Sequence, residues 1–144
     1  MTDILSEIIA HKRIEIELQK QAVSLEKLQE EVAAMMQKDA TTGTSVTIPV
    51  RSMNRRLASS PTGIIAEFKR RSPSKGWIHE TARAEEIPAA YETAGASAVS
   101  ILTDEKFFGG SLQDIRMARP LIGIPILLKG FHHRTNTNCS RHVS

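Results

Sequence analysis

Between residues 63 and 129, three short apolar runs alternate with two stretches of helical pattern, and few folds accept that order. The first run is Gly63 to Lys69, apolar through Ala66 and charged at its end. The second is Ser97 to Leu102, and the third is Ile124 to Leu128, closing on Lys129. Residues 83–94 read as the first helix. Proline is tolerated in a first turn, so Pro88 moves the effective start to near Ile87. Gly95 then ends the helix. Ser111 caps the second helix, and Asp114 three residues on completes a capping box. Strand, helix, strand, helix, strand means a parallel sheet with right-handed crossovers. Runs that are apolar throughout suit strands buried on both faces. An open doubly wound sheet and a (β/α)8 barrel both fit. A barrel needs about 250 residues, so a chain of 144 supplies only part of one.

Upstream the texture is helical. Residues 3–20 carry an apolar stripe of Ile4, Leu5, Ile8 and Ile9, with His11, Lys12, Arg13, Glu15 and Glu17 on the polar side. Residues 24–37 place Leu25, Leu28, Val32 and Met35 at helical spacing, with Ser24 as N-cap and Glu26 in the first turn. A coiled coil would need a sustained heptad, which is missing. Residues 38–49 read as a Thr-, Ser- and Gly-rich loop, and residues 51–58 as a short basic helical turn with Arg51, Arg55 and Arg56. The expected division is a helical extension over 1–62, a strand–helix region over 63–129, and a tail over 130–144.

Composition narrows the setting. The formal net charge is +3, too small for a dedicated nucleic-acid binder. Cys139 is the single cysteine, so no intrachain disulfide can form, and a reducing cytoplasmic setting is expected. No apolar run approaches the roughly 18 residues that span a membrane. Asp3 and Glu7 stand where a signal peptide needs basic and then apolar residues.

Sites on parallel α/β sheets lie at the carboxyl ends of the strands. The first run ends in Glu67, Phe68 and Lys69. Side chains two apart on a strand share a face, so Glu67 and Lys69 point the same way. The second run leads into Thr103, Asp104 and the loop through Lys106, Phe107, Phe108, Gly109 and Gly110; the third ends in Lys129. An ammonium beside a buried strand is costly unless paired or functional. A salt bridge between Glu67 and a lysine, or simple solvent exposure, explains the same residues without chemistry. The run Lys69 to Gly76 is basic and rich in Ser, which suits phosphate or nucleic acid. It lacks the ending of a P-loop, and only Trp77 is near for base stacking.

Ile64 to Gly76, with Glu67, Lys69, Arg70, Arg71, Ser72, Pro73, Ser74 and Lys75 in order, closely resembles the first-strand motif of indole-3-glycerol-phosphate synthases. The likeness continues through five motifs in sequence. Ile4, Leu5 and Ile8 followed by His11, Lys12 and Arg13 resemble the family's N-terminal helix. Tyr91 and Glu92 with Ala94, Gly95 and Ala96 resemble the helix after strand one. Ser100 to Asp104, then Phe107 to Leu112, resemble strand two and its loop. Pro125 to Lys129 resemble strand three. The resemblance implies a (β/α)8 TIM barrel with an N-terminal helical extension that helps cover the site. It implies decarboxylating ring closure of 1-(2-carboxyphenylamino)-1-deoxyribulose 5-phosphate to indole-3-glycerol phosphate. The family uses no metal and no organic cofactor. By resemblance Lys129 is the principal general acid, and Lys69 the second catalytic lysine, contacting the substrate carboxylate. Glu67 orients both. Ser72 and Phe108 contact substrate, Phe108 against the anthranilate ring.

The likeness stops after Lys129, where the family continues Lys-Asp-Phe and then apolar residues. Here the tail opens Gly130, Phe131, His132, His133, with neither helical nor strand period. One inserted nucleotide turns codons for Lys-Asp-Phe-Ile-Ile into codons for Lys-Gly-Phe-His-His, so a frameshift and an early stop are expected. His132, His133, Cys139 and His142 match no zinc spacing. A half-barrel of this kind is expected to be inactive alone and to self-associate through its open edge. Two other classes compete: a basic nucleic-acid-binding module using Arg51, Arg55, Arg56 and the 70–75 run, and a helical interaction protein built on residues 3–37. Neither accounts for the ordered motifs of residues 63–129.

Overall fold

A computed structural model describes the backbone of residues 3–41 and 51–130, and the side chains of 3–34 and 51–130. Residues 42–49 of the loop expected over 38–49, the tail from 131 and the histidines and cysteine within it lie outside those residues. The chain divides into two compact units, one holding Met1–Val50 and Phe131–Ser144, the other Arg51–Gly130.

In the first unit, Asp3 starts helix α1 (Ile4–Ala22) by accepting from the Ser6 amide at 2.9 Å. That side-chain bond satisfies one of the amides a helix start leaves free. Ser24 does the same for α2 (Leu25–Thr41), its Oγ accepting from Lys27 N at 3.3 Å. α2 runs to Thr41, past the end expected at 37, because Gln37, Lys38 and Ala40 favour helix. Neither helix is long and apolar enough to cross a membrane, nor is any other among the described residues.

The second unit begins with α3 (Met53–Ser59), capped by Ser52. Next come β1 (Ile65–Phe68), a hairpin of β2 (Arg71–Ser72) and β3 (Gly76–Trp77), and α4 (Ile87–Thr93). β4 (Ala98–Leu102), α5 (Glu105–Phe108), α6 (Leu112–Ala118), a 3-10 turn at Arg119–Leu121 and β5 (Ile126–Lys129) complete it. The three long-range strands form one parallel sheet in the order β1-β4-β5. α4 starts at Ile87 with proline in its first turn, and α6 has the full Ser111–Asp114 capping box. Both follow the sequence reading.

Three expectations change. β5 starts at Ile126, two residues later than expected, because Pro125 has no amide to donate to the ladder; its carbonyl still accepts from Val99 N at 3.0 Å. The basic run that starts at Lys69, for which no strand was expected, contains the β2–β3 hairpin, with Arg71 opposite Trp77 and Ser72 opposite Gly76. The loop expected over 103–110 contains α5, because Asp104 accepts from Phe107 N at 2.8 Å and supplies an N-cap.

Alternation along the strands sorts the side chains. Phe68, Val99 and Ile101, with Ala66, Ile126 and Leu128, pack against Ala89 and Tyr91 of α4 and Ile115 and Ala118 of α6. β4 lies between two neighbours and is buried at every position. Ile101 is fully buried there, so Ile101→Ala should cost about 2–5 kcal/mol of stability through lost transfer energy and a residual cavity. Urea unfolding of the two proteins measures it, and a loss well under about 1 kcal/mol would mean that the site collapses around the smaller side chain. The opposite face carries Glu67, Ser100 and Leu127 in one register row. The outer edges of β1 and β5 have no strand partner among the described residues.

Candidate active site

The polar residues gather where the strands end. Glu67 sits in β1 and Lys129 closes β5, two strands away across β4. Lys69 Nζ donates to Glu67 Oε1 at 2.7 Å, and Lys129 Nζ donates to Glu67 Oε2 at 2.5 Å. One carboxylate therefore holds two ammonium groups, one on each oxygen. The shared face expected for Glu67 and Lys69 is what allows the first contact. The second depends on the sheet order, which brings residues 62 positions apart into contact.

Burial pushes the Glu67 carboxyl up, but the hydrogen bonds and charges of Lys129 and Lys69 together outweigh it and hold the group below the usual glutamate range. Glu67 is thus ionised at neutral pH. The side chain of Lys129 is 56% exposed, so deep burial does not constrain it; pairing with Glu67 does. The salt bridge that sequence alone left open as a plain structural explanation is present. It is also the geometry that presents two proton donors side by side at an open surface. Between the two strands, Ser100 lies in register with Glu67 and Leu127, its Oγ buried and without a hydrogen-bond partner among the described residues.

Ser72 and Phe108 lie outside this triad, on the loops that follow β1 and β4. Ser72 Oγ accepts from Lys75 N at 3.2 Å, so its hydroxyl shapes the β2–β3 turn. Phe108 is the last residue of α5 and is half-buried. Arg71 joins the two loops by donating to the Lys106 carbonyl at 2.9 Å while its guanidinium lies over the Trp77 ring.

Sequence reasoning missed a second network beside the triad. Arg70 meets Asp114 in a two-pronged contact, Nη1 to Oδ2 and Nη2 to Oδ1, each at 2.8 Å. Its Nε donates to the Ala82 carbonyl at 2.7 Å, and Nη1 also reaches the Gly109 carbonyl at 3.0 Å. The hydrogen bonds from Arg70 to Asp114 push the arginine further toward its charged form, against a smaller opposing effect of burial. Asp114 was visible as a helix cap; nothing in its spacing pointed to Arg70. The basic run is also poorly placed for nucleic acid. Arg70 and Arg71 are committed to internal contacts, and Arg51 donates to the carbonyls of Ile122 and Ile124.

The profile of the family described as indole-3-glycerol phosphate synthase matches residues 5–136. An indole-3-glycerol phosphate synthase of Bacteroides thetaiotaomicron is 63% identical over 131 residues, covering 91% of this chain and 46% of the relative. Those of Syntrophobacter fumaroxidans and Neisseria meningitidis serogroup B are each 40% identical, over 134 and 136 residues. The chain spans about half the length of the curated relatives it matches. A family model that matches most of the chain, together with a 63% identical relative, shows that the chain belongs to the indole-3-glycerol phosphate synthase family.

Proposed function

We propose that residues 63–129 are the first three strands, with the helices between them, of a (β/α)8 barrel, and that they carry the proton-donating side of an indole-3-glycerol-phosphate synthase site. The observation that carries this reading is the single carboxylate of Glu67 gripping both Lys69 and Lys129 at strand ends. Closing a ring onto a carbonyl needs a proton delivered to the carbonyl oxygen, and the dehydration that follows needs one delivered to a leaving hydroxyl. In this reading Lys129 acts as the general acid. Lys69 is the second donor and contacts the substrate carboxylate. Glu67 keeps both ammonium groups aimed. Ser72 and Phe108 contact the substrate, Phe108 against its aromatic ring. The substrate is the phosphorylated small molecule 1-(2-carboxyphenylamino)-1-deoxyribulose 5-phosphate, and the reaction releases CO2 and water. The chemistry is carried by side chains, with no metal or organic cofactor, in a cytoplasmic setting. The segments 1–62, 63–129 and 130–144 are then the helical extension, the barrel units and a tail.

Barrel phosphate sites usually follow strands seven and eight, whereas the described sheet has three strands. The 144-residue chain alone is therefore expected to show no turnover and to self-associate through the free edges of β1 and β5. Grafting residues 1–129 in place of the matching segment of the Bacteroides thetaiotaomicron relative supplies the remaining strands. That graft should be monomeric by the edge criterion and should form indole-3-glycerol phosphate, followed by product absorbance. A folded graft that turns over nothing, beside an active parent, would sink the proposal.

A further inference from the structure

We propose that Ser100 is a positioning residue of this site, a standby donor that takes hold of Glu67 when Lys129 turns away to deliver its proton. The inference rests on the functional reading above. Glu67 and Lys129 stand on the two outer strands of the sheet, with β4 between them. Neighbouring strands lie about 4.8 Å apart, so a 2.5 Å contact between those two side chains must lean across β4. Ser100 is the β4 residue in the register row of Glu67, and Lys129 is paired two residues further on, with Leu102. Residues two apart on a strand share a face, so Ser100, Leu102 and Lys129 all belong to the face that carries Glu67. The ion pair thus passes over the stretch of β4 between Ser100 and Leu102.

Ser100 is out of character in its strand. The other four residues of β4 are Ala98, Val99, Ile101 and Leu102, all apolar and buried. Ser100 is 4% exposed, and its Oγ has no hydrogen-bond partner among the described residues. A buried hydroxyl left unpaired costs stability that an alanine would not cost. Small size alone does not account for the serine, since alanine would leave the same room. The carboxylate beside it supplies a use. A carboxylate has about four lone-pair sites, and each Glu67 oxygen holds one ammonium. Oε2 can therefore accept a second donor, and a serine needs only a change of χ1 and of its O–H direction to aim at it. The demand arises during the reaction. Lys129 sits on a flexible stem. When its Nζ passes a proton to the substrate carbonyl oxygen it becomes a neutral amine, and Glu67 loses a countercharge. Ser100 then donates a hydrogen bond to Glu67 and gives up no proton. The carboxylate stays aimed, still holding Lys69, until Lys129 takes a proton from solvent and returns.

A double-mutant cycle in the 144-residue chain tests this without turnover. With Lys129 in place, Ser100→Ala should not lower the folded-to-unfolded ratio in urea, because the hydroxyl is idle. In Lys129→Ala the hydroxyl should be engaged, and adding Ser100→Ala should lower that ratio about tenfold, the scale of a hydrogen bond to a charged group. That loss should fade in acid, as Glu67 protonates. Ser97→Ala removes a buried hydroxyl already bonded to Ser60 and Thr62, and should lower the ratio equally with and without Lys129. In the graft, Ser100→Ala should lower kcat about tenfold with KM nearly unchanged, as for a contact made only during turnover. A loss of stability from Ser100→Ala with Lys129 in place would show a hydroxyl already occupied and would overturn the assignment. So would equal effects in the two backgrounds, or an unchanged kcat in an active graft. An unsubstituted graft without turnover would instead overturn the functional reading, and the cycle would still decide whether Ser100 stands in for Lys129.

Discussion

Gly110→Ala should leave the strand unit unfolded, the largest stability effect expected from any single methyl group in this chain. A Cβ at position 110 would stand 1.9 Å from the Leu102 carbonyl oxygen and 2.7 Å from its carbon. Both atoms are backbone, at the end of the fully buried central strand. A flexible side chain could swing away from such a clash; a strand carbonyl cannot move without breaking the ladder. Thr103 N, also close at 3.3 Å, donates to the Lys129 carbonyl at 3.0 Å, so any shift spreads to β5. Overpacking ordinarily costs about 1–3 kcal/mol, and this contact should exceed about 4 kcal/mol, the range reserved for severe lesions. Thermal melts followed by circular dichroism settle it. A variant melting within a few degrees of the parent would show that the 103–110 segment can be re-laid.

Glu67→Gln should leave the fold nearly intact and remove most of the activity. The amide has the size of the carboxyl but no charge, so two ammonium groups lose the anion that holds them together. In the graft, kcat should fall about 10²–10⁴-fold, the usual contribution of a well-aimed acid–base group. The same substitution has a pH signature. The folded-state pKa of Glu67 lies below its unfolded value. Its ionic contribution to stability is therefore fully present above the ordinary glutamate range and is lost as pH falls through the depressed folded value. Urea midpoints of wild type and variant should differ at pH 7 and converge in acid. A gap that persists at low pH would show that Glu67 stabilises by packing rather than by charge.

The parts of this molecule legible from sequence are those with a repeat of their own. Gly63 to Lys69, Ser97 to Leu102 and Ile124 to Leu128 stand out because uninterrupted apolar residues between turns have few other uses. The shared face of Glu67 and Lys69 follows from strand period alone. Their contact with Lys129 does not, since it needs the order β1-β4-β5, and the pattern by itself also allowed an open doubly wound sheet. The five ordered motifs, which periodicity does not contain, pointed to the family. The β2–β3 hairpin was missed because two-residue strands contain no period. α5 was missed because four residues make barely one turn, although Asp104 ahead of Glu105 and Lys106 was a usable capping signal. The Arg70–Asp114 fork joins side chains 44 positions apart, and neither residue looks unusual in its own neighbourhood.

The central placement of β4 also fixes an order of events on the ribosome. β4 emerges before β5, yet its second edge is covered only when Ile126–Lys129 arrive. At about 5–20 residues per second, the stretch from Leu102 to Lys129 takes roughly 1–5 s to synthesise. During that interval the edge of β4 that later pairs with β5 has its ladder unmade. Glu67 meanwhile has Lys69 within reach but not Lys129. The paired-lysine cluster is thus among the last features of this sheet to form, and its completion marks the closing of the sheet.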